Sequence, residues 1–217
     1  MGMVISTVLL LAGCARDDHQ TFARFHDDGR AKPVLSLVPV IDHSEAFVPW
    51  SLSEELTFLV AYRLMQKNDI YLVDEETVRN VVRKLTDNEH PFRADLSWMK
   101  QAFAGHEFVS FIELVEHDQV IHPSKKDEIA GSLPTNDLYM TIRLRVVDLR
   151  DEEPKVILQE MMHRSHHIPK QFVDIDYRTV SWGKDPYTIS PLGLAHGELA
   201  KEIASRLEDY LLIAKSN

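Results

Sequence analysis

A single cysteine, Cys14, stands in 217 residues, so the chain past that point has no thiol for a disulfide, a thiolate nucleophile or a cysteine metal ligand. Glycine is scarce too. The eight glycines never gather into a phosphate-cradling loop, which leaves nucleotide binding without support. Positive charge is in deficit, with 24 Lys and Arg against 34 Asp and Glu and a formal net charge of −10. A nucleic-acid footprint needs Lys and Arg clustered on one face, so nucleic acid is not an expected partner. Ser181 and Ser190 lack the Gly-x-Ser-x-Gly spacing of a nucleophile elbow. No apolar run reaches the ~20 residues that cross a hydrocarbon core.

What is present begins at the N-terminus. The apolar stretch from Met3 to Leu11 is followed by Leu11-Ala12-Gly13-Cys14, then by the charged Arg16-Asp17-Asp18. The stretch is a leader in length, with small residues before the cysteine, although no Lys or Arg precedes it. Leu11, Ala12, Gly13 and Cys14 resemble the lipobox of bacterial lipoprotein precursors. That resemblance implies a signal peptide over 1–13, cut before Cys14, with a diacylglycerol on the thiol and an acyl chain such as palmitate on the new amine. Each buried methylene contributes about 0.8 kcal/mol, so two or three chains on Cys14 would hold the protein to a membrane. Ala15 is not the aspartate that favours inner-membrane retention, so the resemblance points to the outer membrane, facing the periplasm.

Residues 14–32 are polar and read as the lipidated cysteine and a flexible tether; 33–217 read as one periplasmic domain. With 44% hydrophobic residues the chain can bury a core. Val34 to Ile41 is a nearly continuous apolar run expected to be a buried strand, with Pro39 marking an edge or bulge. Ser51 and Glu54 form a capping box for a helix to about Lys67, with Leu52, Leu56, Leu59, Val60 and Leu64 on its buried face. Ile70 to Val73 reads as a short strand, and Asp74 caps a helix carrying Val78, Val81, Val82 and Leu85. Asp95 can cap a third helix through Phe103, which Gly105 would end. Three longer strands follow, Glu107 to Glu116, Asp137 to Leu149 and Lys155 to Ile168, and a last helix runs from about Leu194 to Leu212. The order β-α-β-α-α-β-β-β-α predicts an α+β domain with a mixed sheet and helices mainly on one face.

The lipobox, the tether, the Val34 to Ile41 strand, the Ser51-led helix, the Val73-Asp74 turn and Ala104-Gly105-His106-Glu107-Phe108-Val109 entering a long strand together resemble one group of bacterial envelope proteins. The group holds the curli production transport lipoprotein, the lipoprotein activators of penicillin-binding proteins and the N-terminal domain of the Tol-Pal translocation protein. The resemblance runs over about residues 33 to 212 and implies an anticodon-binding-domain-like fold used for protein contacts without catalysis. A curli-type pore is disfavoured, because Arg143, Arg145, Glu160, Arg164 and His166 break any lipid-facing band in the strands.

Candidate sites within the domain are few. His163, Ser165 and His167 share one strand face, where two imidazoles and a carboxylate could hold a metal; the alternative is a solvated, partner-facing strand. His106-Glu107 opens like a zinc-protease motif, but Ser110 stands where the second histidine is needed. Asp174 and Asp176 lack further oxygen ligands at calcium-loop spacing. Trp50, Trp182, Tyr177 and Tyr187 fall in expected loops, as interface anchors or as plugs at the core's edge. The row Tyr139, Thr141, Arg143, Arg145 is expected to face outward, as a contact surface or paired to acidic neighbours. The resulting expectation is a lipid-anchored adaptor or assembly factor that binds another envelope protein and uses no cofactor. Two alternatives stay open: a periplasmic metal-dependent hydrolase using His163 and His167, and a structural lipoprotein that self-associates.

Overall fold

The structure, a computed structural model, describes residues 24–86, 88–122, 135–172 and 174–216. Leu11, Ala12, Gly13 and Cys14 lie outside the described residues, so the reading of the lipobox rests on sequence. Six strands among the described residues form one mixed sheet: β1 (Val34–Leu37), β2 (Ile41–Asp42), β3 (Tyr71–Leu72), β4 (Phe108–His122), β5 (Thr135–Asp148) and β6 (Lys155–Ile168). The strand order is β3-β1-β4-β5-β6, with β2 also paired to β4. β1, β2 and β3 enter in parallel pairings, whereas β4, β5 and β6 form an antiparallel meander. The domain is α+β.

Four α-helices complete the described fold: α1 (Leu52–Lys67), α2 (Glu75–Val82), α3 (Met99–Ala102) and α4 (Pro191–Ser216). The N-cap of α1 is Ser51, whose hydroxyl accepts the Glu54 N–H at 3.2 Å. At its other end Asn68 takes a left-handed conformation, φ 59°, and returns its N–H to the Leu64 carbonyl. Asp74 caps α2 by accepting from Thr77 N at 2.9 Å. Each cap satisfies a backbone donor that the helix itself leaves open.

The two long helices, α1 and α4, cover one face of the sheet. Leu56, Val60 and Leu64 of α1 and Leu199, Ile203 and Leu207 of α4 close over Leu35, Ile112, Leu138, Ile142 and Leu144. Full burial of side chains of this size contributes roughly 1.5–3 kcal/mol each before entropy is counted. A smaller cluster fills the opposite face at the β1 end, where Val78 of α2, Met99 of α3 and Phe103 meet Val38, Val109, Phe111 and Val147.

Several boundaries differ from the sequence expectation. The first strand is split, because Pro39 has no N–H to give; β1 ends at Leu37 and β2 resumes at Ile41, each pairing with β4. The third helix is a single turn, Met99–Ala102, since Asp95 is used locally, accepting from the Ser97 N–H and hydroxyl. Gly105 follows it at φ 83°, a conformation that suits glycine. The last helix starts three residues early at Pro191, where the missing proline N–H costs nothing, and Ser190 Oγ accepts the Gly193 N–H at 3.1 Å. Contacts also begin before Pro33: Phe25 bridges Ala31, and buried Lys32 donates from Nζ to Asn68 Oδ1 at 2.7 Å.

One irregularity positions a buried polar side chain. The β4–β5 register slips at Val115, with Leu114 opposite Ile142 but Glu116 opposite Thr141. Strict alternation would turn residue 117 away from Leu114. The bulge reverses the phase, so His117 lies on the same face as Leu114, under the long helices.

Candidate functional site

Beneath α1 and α4 lies a buried polar network at the N-terminal ends of both helices. Glu55 of α1 and His196 of α4 are fully buried, and Tyr187 and His117 nearly so. Glu55 Oε1 accepts from His196 Nδ1 at 2.9 Å and from the Tyr187 hydroxyl; Oε2 accepts from Trp50 Nε1 at 2.7 Å. His196 Nε2 stands 2.8 Å from His117 Nε2, so one proton joins the two rings there. The aromatic members also pack edge to face, Trp50 on Tyr187 at 5.2 Å and His117 on His196 at 5.1 Å.

The electrostatics follow from this geometry. Burial pushes the Glu55 carboxyl up, but the hydrogen bond and charge of His196, with the donors Tyr187 and Trp50, bring it below its ordinary value. Glu55 is therefore a carboxylate, and the hydrogen between it and His196 resides on Nδ1. Burial, then the neighbouring His196, push His117 down to about 4. Burial and the Glu55 charge raise the Tyr187 hydroxyl, which stays a donor. The network thus holds one carboxylate by three donors and ties α1, α4, β4 and the 3₁₀ turn Asp185–Ile189 to a single arrangement.

Above Tyr187 a groove opens to the surface, with a volume of about 620 Å³. Phe58 and Leu59 of α1, Trp182, and Leu194 of α4 form its walls, and Gly193 and Gly197 lie along its floor. Gly193 has to be glycine, because a Cβ there would overlap the Tyr187 carbonyl. Gly197 has no such constraint: a Cβ would meet nothing within 4 Å.

The residues singled out from sequence are scattered. Trp182 is half-buried, packs against the main core and is 6.2 Å from the Phe58 ring in the groove wall. Trp50, Tyr177 and Tyr187 pack inward, with Trp50 6.3 Å from Tyr177. Tyr139 is exposed on the sheet face opposite the long helices, between Asp118 and Ser165. Arg143 and Arg145 share that side but are not a free basic stripe. Arg143 pairs with buried Glu113 and lies 4.2 Å above the Phe92 ring. Arg145 is buried, donating to the carbonyls of Pro91 and Arg93 at 2.8 Å each and to Gln159. Thr141 is buried as well. The expected outward row is corrected at these positions because the segment around Phe92 folds over the strand and takes up the guanidinium donors.

His163 and His167 do lie on one strand face, each with its own partner: His163 Nδ1 is 3.0 Å from Thr141 Oγ1, and His167 Nδ1 is 2.7 Å from Asp137 Oδ1. Among the described residues no three His, Cys, Asp or Glu side chains converge in a metal-holding group. Asp176 is occupied by Arg178 at 3.0 Å. Glu55, His196 and His117 were not singled out from sequence. The first two had a signal, since each is a polar residue inside an apolar helical stripe, Glu55 between Leu52 and Leu56 and His196 three residues before Leu199. His117 had none, because its facing depends on the bulge.

With this geometry in place the chain can be set beside known proteins. It belongs to the family of unknown function DUF7499, whose pattern matches residues 21–215. No curated protein matches it by sequence. Among solved structures it is similar to the hypothetical protein CT253 from Chlamydia trachomatis, at 23% identity and a TM-score of 0.64 over 83% of this chain and 98% of that one. That likeness shows the fold. Looser likenesses include lipoprotein GNA1162 from Neisseria meningitidis, at 11% identity and a TM-score of 0.39 over 82% of this chain and 99% of that one. Another is a minor lipoprotein from Acinetobacter baumannii, at 10% identity and 0.41 over 81% and 92%. Scores below 0.5 carry no argument about this chain. Among the described residues no helix is long and apolar enough to cross a membrane.

Proposed function

We propose that this is a lipid-anchored envelope protein whose folded domain binds another protein as a non-catalytic adaptor or assembly factor, held through Cys14 to the outer membrane and facing the periplasm. The anchor is supported by Leu11-Ala12-Gly13-Cys14 behind its apolar run. The observation that carries protein binding is the open far half of the sheet. Beyond the Phe92 segment, β5 and β6 present Tyr139, Met161, His163 and His167 exposed on the face opposite the long helices. β6 is also the 14-residue edge of the sheet. An edge of that length offers unpaired backbone groups to an added strand, and the exposed Tyr139 and Met161 side chains offer apolar anchors beside it.

The test is in-cell crosslinking from a photoreactive residue at position 161, comparing the natural chain with Cys14→Ser. The expected result is one discrete envelope partner, captured by the membrane-bound form and lost on Cys14→Ser. Capture that is independent of Cys14, or no capture at all, would overturn the anchored-adaptor reading.

A further inference from the structure

The groove over Tyr187 has a division of chemistry that the adaptor reading leaves unused. Its walls and floor offer carbon: Phe58, Leu59, Trp182 and Leu194 line the sides. The polar groups beneath are already committed. The Tyr187 hydroxyl donates to Glu55, and the α4 backbone along the floor is inside a helix. An extended peptide would find few partners there for its own N–H and C=O groups, whereas a hydrocarbon chain needs none.

Charge gathers at one end. The Glu55–His196 and Lys67–Glu208 contacts show that α1 and α4 run side by side in the same direction. Arg63 and Lys201, each further along its helix than the network, therefore come to the same end of the groove. Neither has an ion pair or hydrogen bond among the described residues, in a chain of net charge −10. Lys184 also lines the groove, but its ammonium donates to the Arg178 carbonyl at 3.1 Å. The two acids present are Asp185 and Glu198, the latter 3.7 Å from His166. Gly197 supplies the independent observation: helix interiors disfavour glycine, and no neighbour in the fold demands one here. Its missing side chain keeps the floor clear.

We propose that the groove binds a free single-chain anionic lipid, of which a long-chain fatty acid is the simplest, with the acyl chain over Gly197 and the head group between Arg63 and Lys201. The volume of about 620 Å³ falls within the roughly 300–1,000 Å³ of small-molecule sites. This site is separate from the open sheet face and stands whether or not the adaptor reading holds.

The probe is 9,10-dibromostearate, whose bromines quench nearby tryptophan, added to the full chain carrying Cys14→Ser so that no attached lipid competes. Saturable quenching is expected, and Trp182→Phe is expected to remove most of it. Arg63→Gln with Lys201→Gln should weaken binding at least tenfold. Gly197→Leu, whose Cβ would meet nothing within 4 Å, should abolish it while leaving the circular dichroism spectrum unchanged. Equal binding of the dibrominated alcohol, full quenching in Trp182→Phe, or indifference to both the charge and the glycine variants would overturn the proposal. So would an interaction confined to anionic phospholipid vesicles, which would assign the cations to a membrane surface.

Discussion

Glu55 and His117 show how much a few buried side chains determine. His117 falls to about 4 in the folded chain from an ordinary value near 6.5, so between those values the unfolded chain holds a proton that the folded chain does not. Stability therefore falls as the pH drops from about 6.5 to 4 and levels off below that. The size is on the order of 3 kcal/mol, at 1.36 kcal/mol per unit. Glu55, lowered by its donors, works in the same direction through the carboxylate range, and its charge and that of Asp42 oppose the depression of His117. Melting followed at pH 7 and pH 4.5 should show the loss. His117→Gln, which keeps a donor for His196 without titrating, should flatten the slope between them. Glu55→Leu is a harsher change, because it strips the acceptor from Trp50, Tyr187 and His196 at once. A cost of about 3–5 kcal/mol in urea unfolding is expected, against roughly half that for Glu55→Gln, which keeps an oxygen.

Among the elements, β4 is where one residue of length has the largest consequence. The extra residue at Val115 turns His117 under α4 and leaves Glu116 to accept from the Thr141 hydroxyl at 2.7 Å on the other face. Deleting Val115 removes the extra residue and leaves His117 two positions after Leu114, so a regular ladder still pairs Glu116 with Thr141 and His117 with Met140 and keeps His117 on the helix face. The expected outcome is that the His117 contribution to the acid slope survives the deletion, read from melting at pH 7 and pH 4.5. Loss of that slope in the deletion would mean that the bulged backbone itself, and not the face on which His117 falls, holds the His117–His196 contact. The helices behave differently, since their caps and stripes are local: Ser51, Asp74 and the leucines of α1 and α4 do in the fold what their spacing says. The third helix is shorter than its cap suggested because Asp95 closes a turn within two residues instead.

On the scale of the whole molecule the sheet divides into two working regions. One face is closed by the long helices and holds the network and the groove; the far half of the other is open around Tyr139 and Met161. Met161 is 50% exposed, so Met161→Lys should change stability by no more than about 0.5 kcal/mol. On the adaptor reading it should nevertheless sharply reduce crosslinked partner, while leaving dibromostearate quenching as it was. Loss of quenching in that variant would mean that the two regions are coupled.

Sequence by itself determined the α+β class, nearly every helix and strand and the apolar stripes, because caps and periodicity are written in neighbouring residues, and its lipobox-like run at Leu11 to Cys14 is what the proposed anchor rests on. Glu55 and His196 were not singled out, although each is a polar residue inside an apolar helical stripe. Only the tertiary structure decided that Arg143 and Arg145 are taken up by Glu113 and the Phe92 segment and not left facing outward. The same holds for His117, whose facing depends on a register slip between two strands, and for the groove, whose walls come from α1, α4 and the loop at Trp182. Such features depend on pairings between residues far apart in the chain, which local pattern does not encode.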